Sequence, residues 1–134
     1  MVIASELSQV PRVQKVVLEE LERHGHGQET AFAVRLALEE SLSNAIRHGN
    51  QNDPSKQVVI EYAVTADEVR ISVTDEGPGF QPETLPDPRE EENLARPCGR
   101  GVMLMQAYMT DVAYNDKGNK VTMVRTRDGA PPQT

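Results

Sequence analysis

The segment ALEESLSNAIRHGN, from Ala37 to Asn50, carries Glu40, Asn44 and His48 at successive i+4 positions. On a helix, residues four apart lie almost above one another, so a carboxylate, a carboxamide and an imidazole share one stripe. Such a stripe offers oxygen and nitrogen atoms for proton transfer or for holding a hard cation. Val34, Leu38, Ser41, Leu42 and Ala45 fall on an adjoining stripe that can face a core, which makes the polar stripe one wall of a site. Alone, the pattern equally describes a polar helix face with satisfied hydrogen bonds. What the rest of the chain sets opposite it decides between the two.

Asp75 continues the row Val69, Ile71, Val73, so its carboxylate emerges at the end of a buried strand face, an unusual place for an unpaired charge. In Asp75-Glu-Gly77-Pro-Gly79-Phe80, the glycines let the backbone turn sharply and approach a ligand without Cβ interference. The same string also fits a tight loop after a strand, and the placement of the acid favours a site. Further on, GRGVMLMQAYM begins with Gly99 and Gly101 and becomes an apolar helix through Val102, Met105 and Met109. Glycines leading into a helix N-terminus expose free N–H groups and the positive dipole end, a natural anion site. The methionines read as core packing.

Positioning these groups requires an ordered set of elements. Val2 to Ala4 suits a short edge strand. Leu7, Val10, Val13, Val17 and Leu21 recur at helical spacing, and Pro11 belongs in a first turn, which starts that helix near Gln9 or Val10. His24, Gly25, His26 and Gly27 end it, and the histidine pair reads as loop rather than as metal ligands. Thr30 is expected to cap the second helix and Gly49 to end it in a left-handed conformation. Val58, Ile60, Tyr62, Val64 and then Val69, Ile71, Val73 alternate with period two, joined through Thr65 to Glu68 as an antiparallel hairpin. Asp111 to Tyr114 and Lys120 to Thr126 read as two more strands. Between them and the first hairpin, residues 81–98 contain four prolines and five acids with hardly any apolar period, the composition of a lid or binding loop.

The length of 134 residues suits a single domain, expected over about 1–127 with a frayed tail at 128–134. Hydrophobic residues make up 37% and aromatics 4%, so the core must be aliphatic. A net charge of −7 argues against direct nucleic-acid binding, which needs clustered Lys and Arg. Cys98 stands alone, excluding an internal disulfide and suggesting a reducing compartment. The start MVIASELSQV lacks the basic and apolar regions of a signal peptide, and no apolar run suits a membrane span. A cytoplasmic protein without membrane attachment is expected.

The motifs EESLSNAIRHG, VTDEGPGF and GRGVMLMQAYMTDV, in this order and with an intervening acidic lid, resemble the ATP-binding sites of the GHKL superfamily. Nearly the whole chain is similar to the stand-alone anti-sigma-factor serine/threonine protein kinases of bacterial partner switching. The resemblance implies a Bergerat-type α/β (α+β) two-layer sandwich, a mostly antiparallel sheet with about three helices on one face. It also implies ATP/ADP and Mg²⁺ as ligands. Asn44 then matches the Mg²⁺ ligand, Glu40 the general base, and Asp75, supported by Thr122, the acceptor of the adenine amino group. Gly77 and Gly79 would shape the adenine end, while Gly99, Gly101 and the Val102 amide hold phosphates. His48 either lines the phosphate side or packs at the helix end. The family's basic residue for the γ-phosphate falls near Pro97, where both Arg96 and Arg100 stand close enough to serve. The implied partners are a sigma factor and an anti-sigma-factor antagonist as protein substrate, with a homodimer expected. Arg12, on the first helix, lies near the family's partner-docking arginine, although an exposed helix arginine explains it as well. The alternative is a nucleotide-gated binding module without kinase activity.

Overall fold

The computed structural model describes residues 1–77 and 105–126 of the chain. Ile3 turns inward and is buried while Val2 and Ala4 face out, which seats the first strand, β1 (Val2–Ala4), on the core. A single 3-10 turn, Leu7–Gln9, leads into helix α1 (Val10–Arg23), with Pro11 in the first turn where an N–H would have no helical partner. Val10, Val13, Val17 and Leu21 form its buried face. Arg12, in the same first turn, is exposed, and its guanidinium donates to Gln9 Oε1 at 3.1 Å. Past the C-cap His24, Gly25 takes φ 74°, a left-handed conformation that glycine adopts without strain. The His24 and His26 rings lie 2.9 and 2.7 Å from the carbonyls of Glu20 and Thr65, so both serve the backbone. No cluster of three His, Cys, Asp or Glu suited to a metal occurs among the described residues.

Helix α2 (Gln28–Asn44) departs from expectation at both ends. Its N-cap is Gly27, and Thr30 is buried inside the first turn with its hydroxyl accepting from Arg125 Nε at 3.5 Å. A side chain turned to the core cannot reach back to cap, and Glu29 in the first turn complements the helix dipole instead. At the other end α2 runs into a π turn, Ala45–Gly49, closed by Asn50 N–H donating to the Ala45 carbonyl at 2.8 Å. The left-handed residues are Gln51 (φ 54°) and Asn52 (φ 59°), so Gly49 is not glycine for its dihedral.

Strands β2 (Gln57–Val64) and β3 (Glu68–Thr74) pair antiparallel with Ile60 opposite Val73 and Tyr62 opposite Ile71. Thr65 Oγ1 accepts the N–H groups of Asp67 and Glu68 at 3.2 and 3.1 Å, closing the hairpin. Strands β4 (Asp111–Tyr114) and β5 (Lys120–Thr126) complete a five-stranded antiparallel sheet in the order β1-β2-β3-β5-β4. Alternation buries Val58, Ile60, Val69, Ile71, Val73, Val121 and Met123 on one face, where they share a core with α1, α2, Met105 and Met109. Residues 105–108 are helical. Helices on one face of an open antiparallel sheet make this an α+β two-layer sandwich. No helix among the described residues is long and apolar enough to cross a membrane.

Candidate functional site

Helix α2 buries Val34, Ala37, Leu38, Ser41 and Leu42, leaving Glu40 and Asn44 half-buried where the helix meets solvent. Burial, then the like charge of Glu39, raise the Glu40 carboxyl above its ordinary value, and Arg47 partly offsets them. The Glu40 and Asn44 side chains make no hydrogen bond among the described residues, leaving their oxygens available to a ligand. His48 does not stay in line with them. The π turn holds more residues per revolution than an α turn, so the i+4 stripe breaks after Asn44, and His48 is exposed beside Arg47.

The turn after β3 comes directly against this helix end. A Cβ on Gly49 would overlap the Asp75 carboxyl group, and a Cβ on Gly77 would overlap the Gly49 carbonyl. Both glycines are therefore required by close approach, which sets the Asp75 carboxylate one helical turn beyond Asn44. Gly77 N–H donates to Asp75 Oδ1 at 2.7 Å. The other carboxyl oxygen has no donor among the described residues. Burial lifts the Asp75 carboxyl above its usual range, opposed by the Gly77 N–H and then by Lys117 and Lys56. Gly77→Ala is expected to lower the melting temperature more than Gly49→Ala, because its neighbour is backbone, whereas Gly49 meets a side chain that can yield by giving up its hydrogen bond from the Gly77 N–H. Thermal melts of the two variants compare them.

Thr122 does not join this site. It pairs with Ser72 in the β3–β5 register, and its hydroxyl lies 3.0 Å from Ser72 Oγ on the face opposite Val73 and Val121. Asn119 instead contacts the Asp75 backbone, donating from Nδ2 to the Asp75 carbonyl at 3.1 Å while its own carbonyl accepts the Asp75 N–H at 2.9 Å. Asn50, fully buried, reaches the same turn by accepting the Glu76 N–H at 2.8 Å. The Glu76 carboxylate in turn accepts the N–H of Gln57. Neither asparagine stands out in the sequence. Asn50 lies in a string of turn residues, and Asn119 follows a glycine in a hairpin loop whose Asn115 side chain caps Gly118 and Asn119 at 2.7 and 3.1 Å. Gly79, Arg96, Gly99, Arg100, Gly101 and Val102, with the lid at 81–98, lie outside the described residues.

Close approach at Gly49 and Gly77 thus sets the half-buried Asp75 carboxylate against the end of the helix that carries Glu40 and Asn44. Residues 3–125 match the family model described as histidine kinase-like ATPase domain. An anti-sigma F factor of Clostridium perfringens is 35% identical over 97 residues, spanning 67% of this chain and 68% of that protein. A serine-protein kinase RsbW of Listeria monocytogenes is 27% identical over 110 residues, spanning 77% of this chain and 70% of its own length. With the fold, this close approach and the matched residues in agreement, the chain belongs to the histidine kinase-like ATPase domain family.

Proposed function

We propose that this protein is an ATP-binding anti-sigma regulatory kinase, which holds a sigma factor and phosphorylates a serine or threonine of an anti-sigma-factor antagonist. The observation that carries the reading is the Asp75 carboxylate seated against Gly49, one turn past Asn44. A half-buried carboxylate with one oxygen on Gly77 N–H and the other without a donor among the described residues suits the exocyclic amine of adenine. The Asn44 carbonyl fits Mg²⁺, a hard cation that would neutralise phosphate charge when bound and take its remaining ligands from phosphates and water. Glu40 is the base. Its carboxylate accepts the proton of the attacking hydroxyl as that oxygen bonds to the γ-phosphorus and ADP departs with the electrons of the broken bond.

The remaining roles follow the family pattern. Gly77 and Gly79 shape the purine end; Gly99, Gly101 and the Val102 amide hold phosphates; Arg96 or Arg100 offsets charge on the transferring group. Residues 1–127 form the nucleotide-binding unit, with the lid at 81–98. The protein works in the cytoplasm as a homodimer. Phosphate added to the antagonist weakens that interface by repulsion and desolvation, freeing the kinase for its sigma factor. Incubating the purified protein with γ-labelled ATP and candidate antagonists is expected to label an antagonist serine or threonine. If ATP binds and no phosphoprotein forms with any antagonist that the protein captures, kinase activity is rejected in favour of nucleotide-gated binding.

A further inference from the structure

Asn50 is fully buried and spends its whole carboxamide on three separate segments. Nδ2 donates to Ser5 Oγ and to the Gln57 carbonyl, both at 3.1 Å, and Oδ1 accepts the Glu76 N–H at 2.8 Å. Its own backbone N–H closes the π turn on Ala45. The residue thus stands at the joint between the helix that carries Asn44 and the turn that carries Asp75. The Glu76 N–H belongs to the peptide joining Asp75 to Glu76, and the carbonyl of that same peptide accepts from Asn119 Nδ2 at 3.1 Å. One peptide plane is therefore gripped at both ends by side-chain amides from opposite directions.

Rotation of that plane would swing the Asp75 side chain and move the Gly77 N–H, which points back at Asp75 Oδ1 from 2.7 Å. Gly49 leaves no slack, since the carboxylate already lies against its Cα. Resting on the nucleotide reading above, we infer that Asn50 and Asn119 are positioning residues that hold the Asp75 carboxylate in the orientation selecting an adenine amine over a guanine carbonyl. Neither touches the base. They act through the Asp75–Glu76 peptide, whose part-buried N–H loses its acceptor in Asn50→Ala and whose carbonyl loses its donor in Asn119→Ala.

The experiment compares ATP and GTP affinity by calorimetry in the full chain and in Asn50→Ala, Asn119→Ala and Ser5→Ala, each well below its melting temperature. Ser5→Ala removes a buried bond of Asn50 but leaves the grip on Glu76 intact, so it reports stability alone. Asn50→Ala and Asn119→Ala are each expected to weaken ATP binding about tenfold and to narrow the ATP-to-GTP ratio, while Ser5→Ala keeps the parent ratio. Parent-like ATP affinity and ratio in Asn50→Ala would overturn the inference, as would the same loss in Ser5→Ala. Should Asn50→Ala fail to fold, Asn119→Ala decides by the same criteria. A parent protein that takes up no ATP fails at the earlier step and overturns the nucleotide reading itself, an outcome distinct from equal binding by parent and variants.

Discussion

Glu40→Gln is expected to lower phosphoryl transfer to a protein hydroxyl by about 10³-fold while leaving ATP uptake unchanged, because a general base contributes on that order and Gln keeps the shape without the basicity. Glu40 is half-buried on the same helix as Asn44 and makes no hydrogen bond among the described residues, so the substitution removes a proton acceptor without breaking a structural contact. Its pKa is raised by burial and then by Glu39. The transfer rate should therefore climb with pH on its acid limb, with a midpoint above the ordinary 4.5. Stability runs the other way. A carboxyl whose folded pKa exceeds its unfolded value contributes most below the unfolded value, and that contribution is lost as pH rises through the folded one. Single-turnover labelling across pH, beside calorimetry of ATP binding, checks both parts. Equal transfer by parent and variant would remove Glu40 from the chemistry. If partner release still follows ATP in the variant, nucleotide gating suffices to explain control.

Much of this arrangement is legible in the residues because its signals are local. Period-two Val and Ile place β2 and β3 to within a residue, and Val10, Val13, Val17 and Leu21 give the phase of α1 as built. Parity along β5 was legible as well. Val121 and Met123 are the apolar members of that strand's inward row, so Thr122 must point away from the row that ends in Asp75. That alternation turns Thr122 toward Ser72 instead.

Other features depend on what lies across the chain. Gly49 looks like a helix-ending glycine, and its dihedral is ordinary; the Asp75 carboxylate, brought in from β3, is what leaves no room for a side chain. Asn50 looks like one more turn residue until Ser5 and Glu76, distant in sequence, and the nearer Gln57 are folded around it. The π turn has the same origin, since Ala45 to His48 contains no glycine or proline to break an α turn. Widening the turn at Ala45 delivers the Asn50 N–H to the Ala45 carbonyl, and Asn50 occupies a site set by Ser5, Gln57 and Glu76. Tertiary demand overrides local propensity there, and it does so beside Asn44, where geometry matters most.

Asp75→Asn should cost ATP affinity about 100-fold, more than the loss of one neutral hydrogen bond, because the change reverses polarity at the base. Gly77 N–H needs an oxygen acceptor and will take the Asn Oδ1, as it takes the Asp75 Oδ1 now at 2.7 Å. The amide nitrogen must then occupy the second position, meeting the adenine amine donor to donor. Stability is expected to move in the opposite direction. Burial raises the Asp75 pKa above 3.8, outweighing Gly77 and the lysines, so the ionised group opposes folding at neutral pH. The favourable contribution of the protonated form is complete below the unfolded value and lost as pH rises through the folded one, so the nucleotide-free variant should melt above the parent at neutral pH. That difference should vanish below 3.8, where both side chains are neutral. Melting curves at the two pH values with calorimetry at neutral pH test the pair of signs. A variant that binds ATP like the parent would dismiss Asp75 as the purine acceptor. One that loses affinity and stability together would reduce it to a structural residue.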